Sequence, residues 1–376
     1  MSFDAPLDAG QLLADLCAIP SPSFDERYCG DFVFNLLFDL GFVPVRDGAG
    51  SRIGGTEDNI HVLIPSADGR TSGGVLLAAH LDTVPVEGVP SAQCVDGIWS
   101  NSGPGVLGID NKAAVTALLC AAARWATSAP AEPVTLVFTV AEETGLAGAL
   151  AIDATRLTAK AAFVFDHPTP IGTVVTESPV HTTIRASFKG VPAHAGIRPE
   201  AGRNAIAAAA RAVAEFPSGR ISPTATGNVG RIAGGSAGNV VAAECWFEAE
   251  LRGTDAREHA DLLASVGGLL NRAAEAEGCG ADVKFTRSFS GYRHSEDHIA
   301  LRVGEAALAN LGITPERISS AGGSDANAFE AFGVASLNLG DGSSATHTSD
   351  EQISDQDLTT LCELALSLPA ALNAVR

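Results

Sequence analysis

Unbroken apolar runs recur along the chain and alternate with stretches of helical period. Val75–Ala79 runs straight into His80, bounded by Gly73–Gly74 and Pro85. That pattern predicts a strand buried on both faces. Residues 58–65, Val134–Ala141, Ala161–Phe165 and Val334–Leu339 read as further strands. Helical patterns cover 7–18, 24–40, Asn111 to about Ala126, Gly145–Ala151, 297–311, a short piece ending at Phe332, and Asp355 to about Leu368. In the second of these Phe32, Phe34, Leu36, Leu37 and Leu40 supply apolar faces, and Gly41 ends it. Pro369 marks the expected end of the last helix. Segment 86–108, rich in Gly, Ser, Asn and Pro, reads as loop. Strands alternating with helices imply parallel βαβ units.

The texture changes near Pro179. Thr183, Arg185, Ser187 and Lys189 alternate with Ile184, Ala186 and Phe188; Cys245, Phe247, Ala249 and Leu251 alternate with Glu244, Trp246, Glu248, Glu250 and Arg252. A period of two marks half-exposed antiparallel strands. Helical patterns at about 203–215 and 256–276 lie among them. The predicted organisation is therefore a discontinuous α/β domain, residues 1–179 and 291–376, with a mostly parallel central sheet flanked by helices. An α+β domain, 180–290, is inserted into it.

Composition narrows the function. The chain has 376 residues, 46% of them hydrophobic, and a formal net charge of −20. That length allows two domains, and a phosphate backbone would be repelled, so nucleic-acid binding is not expected. The N-terminal stretch carries acids where a signal peptide carries Lys or Arg. No apolar run approaches the roughly 18–20 residues of a membrane span. Seven scattered cysteines without a C-x-x-C pair suggest neither a disulfide framework nor a thiolate zinc site. A cytoplasmic protein without membrane partners is the expectation.

The ends of the apolar runs carry the chemistry. They deliver His80 and Asp82, Glu142 and Glu143, Asp166 and, through a Gly/Ser loop, His347; Asp110 opens a long helix. In a parallel sheet, ligands collect at the carboxyl ends of the strands. Imidazoles and carboxylates without thiolates suit zinc or a similar divalent ion. Two histidines with several acids suit two ions sharing a bridging carboxylate, ~3.5–4 Å apart, with a bridging water whose pKa falls towards ~7. A nearby carboxylate must then take the water's proton and pass it to a leaving amine. Consecutive glutamates can divide that work, because strand side chains alternate. Singly, each residue has a blander reading: a buried core histidine, a turn-forming Asp82, an N-capping Asp110 or Ser324–Asp325, a helix-starting Glu142–Glu143. Jointly, at the ends of separate strands, the bland readings lose ground.

Two motifs mislead. Gly103-Pro-Gly-Val-Leu-Gly108 fits the dinucleotide fingerprint, but a polar segment precedes it and Pro104 lacks an N–H. Gly234-Gly-Ser-Ala-Gly238 fits the nucleophile elbow, but strand rather than helix follows. An NAD-dependent oxidoreductase and a serine hydrolase are both disfavoured.

Across almost the whole chain the sequence resembles the co-catalytic zinc exopeptidases and amidohydrolases, the family of peptidase T, the glutamate carboxypeptidases and succinyl-diaminopimelate desuccinylase. The matching motifs are HLDTVP (80–85), GIDNKAAV (108–115), AEETGLAGA (141–149), FVFD (163–166), GVPAHAGIRPEAGRNAI (190–206), GGSDANAF (322–329) and HTSDEQIS (347–354). The peptidase T-like branch is the most similar. The resemblance implies that Asp110 bridges two zinc ions per chain, with cobalt or manganese as substitutes. His80 and Asp166 complete one site, Glu143 and His347 the other. Glu142 becomes the general base, Asp82 orients His80, and the Asp110–Asn111 bond is cis. His194 in the lid stabilises the oxyanion, often across a dimer interface, and Arg231 and Asn239 grip a substrate carboxylate. The insertion becomes a lid and homodimerisation domain. The implied activity is aminopeptidase action on short peptides, with N-acyl amino acid deacylation and carboxypeptidase action as alternatives and a catalytically inactive binding homologue as a remote one. His167–Pro168–Thr169–Pro170 departs from the branch pattern, and His167 is expected in an exposed loop.

Overall fold

The computed structural model describes residues 7–86 and 88–375. Helix α1 (Ala9–Cys17) is capped by Asp8, whose side chain accepts from Gln11 N. Helix α2 (Arg27–Asp39) ends before Gly41, which takes φ 91° and so uses glycine's freedom there. It starts three residues later than its pattern suggests, because the Phe24 amide turns onto the Glu26 carboxylate. Then come β1 (Val45–Arg46), α3 (Ala49–Ile53), β2 (Ile60–Ile64) and β3 (Val75–His80).

Segment 86–108 is not all loop. It holds a hairpin of β4 (Ala92–Val95) and β5 (Ile98–Asn101). Asp96 and Gly97, at φ 51° and 78°, make the two-residue turn. Asp-Gly is a strong hairpin signal; the strands hide from hydropathy because none of their residues is buried.

Next follow α4 (Ile109–Thr127), β6 (Val134–Thr139), α5 (Ala147–Leu150), β7 (Ala161–His167) and β8 (Thr173–Ser178). The inserted segment contributes β9 (Val180–Lys189), α6 (Ala205–Glu215), β10 (Gly219–Ser222), β11 (Ala225–Gly234), β12 (Glu244–Gly253), α7 (Ala256–Ala276), β13 (Gly280–Phe289) and β14 (Tyr292–Arg293). The chain closes with α8 (Ile299–Asn310), β15 (Glu316–Ser319), α9 (Asp325–Ala331), β16 (Ser336–Gly340), β17 (Gln352–Ser354) and α10 (Asp355–Val375).

Two compact units result. The first comprises residues 1–176, 294–319 and 324–376; the second comprises 177–293 and 320–323. In the first, the sheet runs β1-β2-β6-β3-β7-β16-β8, with β15 on β8. The pairs β6–β3, β3–β7 and β7–β16 are parallel, while β2 and β8 join antiparallel at either side. This is the mostly parallel α/β sheet expected. All six residues of β3 are buried, and the core also takes the inner faces of α1, α4, α8 and α10.

α10 continues through Pro369 to Val375, contrary to the expected stop at Leu368. A proline removes one helical hydrogen bond. Here Leu364, Leu368, Ala371 and Leu372 stay buried on one face, and that packing outweighs the loss. By length and composition α10 could cross a membrane, but its apolar face belongs to the core of this unit.

The second unit is an antiparallel sheet, β10-β11-β12-β9-β13. Ile184, Ala186, Phe188, Cys245, Phe247 and Leu251 are buried on one face and cluster with Ala208, Ala209 and Ala212 of α6 and Leu270 and Ala273 of α7. The alternation along the sequence is this face. Asn204 and Asp255 cap the two helices.

Candidate metal centre

His80 is the last residue of β3, and Asp166 the last but one of β7. Glu142 and Glu143 follow shortly after β6 ends at Thr139. All four thus stand at the carboxyl ends of adjacent parallel strands. Asp110 sits at the head of α4, preceding the cis peptide bond to Asn111. His347 comes from the loop between β16 and β17 and holds φ 64°, a left-handed conformation that a side chain adopts only when its surroundings enforce it.

The side chains converge. His80 Nε2 is 3.1 Å from Asp110 Oδ1 and 3.8 Å from Asp166 Oδ1. His347 Nε2 is 2.9 Å from Glu143 Oε1 and 3.3 Å from Asp110 Oδ2. The two oxygens of Asp110 therefore face different histidines. Three triads, His80–Asp110–Asp166, His80–Glu142–Glu143 and Asp110–Glu143–His347, each offer donor atoms within 4.8 Å of one another.

Behind this cluster lies a set of buried brackets. Asp82 accepts from Glu142 N at 2.9 Å, Glu143 N at 3.2 Å and Ser23 Oγ at 2.7 Å. Its Oδ1 lies 3.4 Å from His80 Nδ1, and its backbone carbonyl 2.8 Å. Asn338 clamps Asp166 by both its amide and its carbonyl. Asn111 donates to Phe165 O at 2.6 Å.

Glu351 is the largest residue the sequence reading missed. Its carboxylate accepts from the amides of Leu107, Gly108, Ile109 and Asp110 at 2.7–3.1 Å. It fixes the turn that presents Asp110. Gly108 sits there at φ 83°, and a Cβ would meet the Thr83 methyl at 2.8 Å. The signal was the motif HTSDEQIS, in which Glu351 lies one helical turn's count past His347. The misleading G-x-G-x-x-G now has a physical answer: its last two amides, with the next two along the chain, already hold a carboxylate from the same chain. Asp325, anticipated only as part of a cap, is buried and accepts from Thr139 Oγ1 at 2.5 Å; Ser324 is the actual N-cap of α9.

Residues 76–370 match the model of peptidase family M20/M25/M40. The chain belongs to this family. An M20 family member of this kind is a metallohydrolase. Among similar proteins is an uncharacterised Bacillus subtilis protein, YqjE, 30% identical over 298 residues and covering 78% of this chain and 80% of that one. A probable carboxypeptidase of Paracoccidioides brasiliensis is 29% identical over 265 residues, 63% of this chain and 58% of its own length; the match thus spans little more than half of that protein. Among solved structures, a Staphylococcus aureus tripeptidase superposes with a TM-score of 0.88 at 27% identity, and Bacillus cereus aminopeptidase PepT with 0.85 at 28%. Each comparison covers 97% of this chain and 98% of the other.

The donor set of this M20 member fits divalent cations. It consists of two imidazoles and four carboxylates without a thiolate, and the carboxylates repel one another unless something positive lies among them. The electrostatics say the same. Burial pulls the His80 imidazole down, but Asp110, Asp166 and Asp82 together drive it well above its usual value. His347 is pushed up to about 10 by Asp110 and Glu143. Burial, then Asp110, raises Asp166 to about 7. Burial and the nearby Asp166 raise Glu142 well above the carboxylate range. Protons thus gather where cations would sit.

The remaining candidates lie in the second unit. His194 forms a β-bridge with Val240, and its Nδ1 accepts from Gly196 N at 3.1 Å. Asn239 is exposed, and its carbonyl accepts from Ala195 N at 2.9 Å. Arg231 pairs with Glu248 at 3.1 Å and lies over the Trp246 ring. Gly234–Gly238 leaves β11 in the connection to β12, so no nucleophile elbow exists there; the expected strand, β12, does not follow the motif directly but begins at Glu244. His167 is not in an exposed loop: it ends β7, half-buried, with Nδ1 3.0 Å from Thr169 Oγ1.

Proposed function

We propose that this chain is a zinc-dependent exopeptidase that removes the N-terminal residue of short peptides, tripeptides above all. One observation carries the reading: five donor side chains from five separate segments meet around Asp110, with Glu142 beside them. His80 and Asp166 would hold one ion, Glu143 and His347 the other, and Asp110 both. When bound, such ions supply Lewis acidity, polarising a carbonyl and acidifying a water. Cobalt or manganese would satisfy the same donors.

Glu142 takes the proton of the attacking water and delivers it to the nitrogen of the leaving amine. Its burial suits it to hold a proton at neutral pH. Asp82 holds the His80 ring by Nδ1, leaving Nε2 to ligate. His194 is assigned to the oxyanion, and Arg231 and Asn239 to the peptide's carboxylate. Arg231 must then exchange Glu248 for substrate. In this reading the chain acts as a homodimer through its second unit, in the cytoplasm.

Likeness to a tripeptidase and to PepT supports the aminopeptidase reading. Likeness to a probable carboxypeptidase favours a second one, cleavage at the other terminus or deacylation of an N-acyl amino acid. A panel of free tripeptides, N-blocked tripeptides, dipeptides and acyl amino acids, assayed with added Zn2+, separates them. Hydrolysis of free but not N-blocked tripeptides supports the proposal. The reverse preference overturns it.

A further inference from the structure

A second group of metal-type donors stands apart from the catalytic cluster. His294 is the first residue of the first unit after the inserted segment, His298 caps α8, and Glu330 lies in the last turn of α9. The two imidazoles stack with ring centroids 3.8 Å apart and planes 14° from parallel. His298 Nε2 lies 3.1 Å from Glu330 Oε1. Donor atoms of all three residues lie within 4.8 Å of one another.

The surroundings are those of a site rather than of loose surface groups. The side chains of His298 and Glu330 are only 18% and 24% exposed. His298 Nδ1 is buried without a hydrogen-bond partner among the described residues. An orphaned buried nitrogen in a folded protein calls for a partner. Glu330 is oriented by the amide of Ser336 at 2.6 Å, and the His294 ring is hydrogen-bonded to the Ser336 backbone. Such outer contacts commonly fix metal-ligating side chains.

We propose that His294, His298 and Glu330 form an additional divalent-cation site, of the two-imidazole, one-carboxylate kind that takes Zn2+ or a similar transition ion. Three protein ligands leave a fourth position for water. The site is remote from the catalytic cluster. Ser336 opens β16, whereas His80 and Asp166 stand at the opposite, carboxyl ends of the neighbouring parallel strands, roughly 13 Å away along a strand of this length. Ligation requires the two rings to turn out of their stack so that their lone pairs converge, with the ion lying between His298 and Glu330. The ion would tie the start of α8 to the end of α9 and the start of β16, a structural role.

The test uses the full-length protein, stripped with chelator and returned to Zn2+ by equilibrium dialysis, with metal counted by mass spectrometry. Wild type should bind about one equivalent per chain more than either His294→Ala or Glu330→Gln, while both variants keep peptidase activity. Unchanged zinc content in both variants overturns the proposal. His347→Ala separates this inference from the catalytic reading: its lost equivalent should add to that of His294→Ala in the double variant. If His294→Ala loses metal and His347→Ala does not, this site stands and the catalytic assignment falls.

Discussion

Glu351 shows how one side chain can decide where another stands. Four amides converge on its carboxylate, and the last belongs to Asp110, whose two oxygens face the two histidines. Hydrogen bonds to a buried charge contribute about 1.5–3 kcal/mol. Glu351→Gln should destabilise the protein by about that amount, read from urea midpoints. It should also lower kcat, because a small misplacement of a catalytic group can cost ~10²-fold. A variant with wild-type stability and rate would remove Glu351 from this role. Glu142 differs in kind. Its carboxylate is buried beside the donors, and in the proposed mechanism it carries a proton rather than an ion. Glu142→Gln should retain the full metal content but lose ~10²–10⁴ of turnover, the usual weight of a positioned proton carrier. Near wild-type turnover would disprove its proton-carrying role.

At the scale of elements, the apolar runs and the alternating ones behave differently. A strand buried on both faces is mostly apolar, so β3, β6 and β7 are visible in the sequence with their starts at Val75, Val134 and Ala161, although β6 stops two residues before Ala141 and β7 runs two residues past Phe165. The β4–β5 hairpin has no buried face and shows only through its turn. The second unit's sheet carries charge on its open face. Glu250 is drawn down to about 2, first by His181 against the opposing effect of burial, then by Arg252. A carboxylate with a depressed folded pKa stabilises above its ordinary value of 4.5 and loses that contribution as pH falls towards about 2. Urea midpoints should therefore decline across that window, and Glu250→Gln should flatten the decline. An identical acid profile in the variant would show that the charge is idle.

For the whole molecule the open question of assembly has a direct readout. β13 is an edge of the second unit's sheet, ten residues long and paired on one side by β9. A long free edge invites pairing with a second copy across a two-fold axis. Light scattering should give twice the chain mass of 38.3 kDa; a monomer at micromolar concentration would contradict the proposed dimer.

The buried parallel strands with their intervening helices, the alternating strands of the inserted α+β segment and the residue types of the donors were legible in the residues themselves. Burial on two faces, burial on one face and ligand preference each leave a local mark. The brackets were not legible. Glu351, Asn338 and Asp325 act through contacts with residues some 170 to 240 positions away. The same holds for α10, where packing against distant helices carries a helix past a proline that locally argues for its end. Periodicity records what a segment does with its own neighbours. Which carboxylate meets which amide is set only when the sheet closes and remote loops are brought side by side.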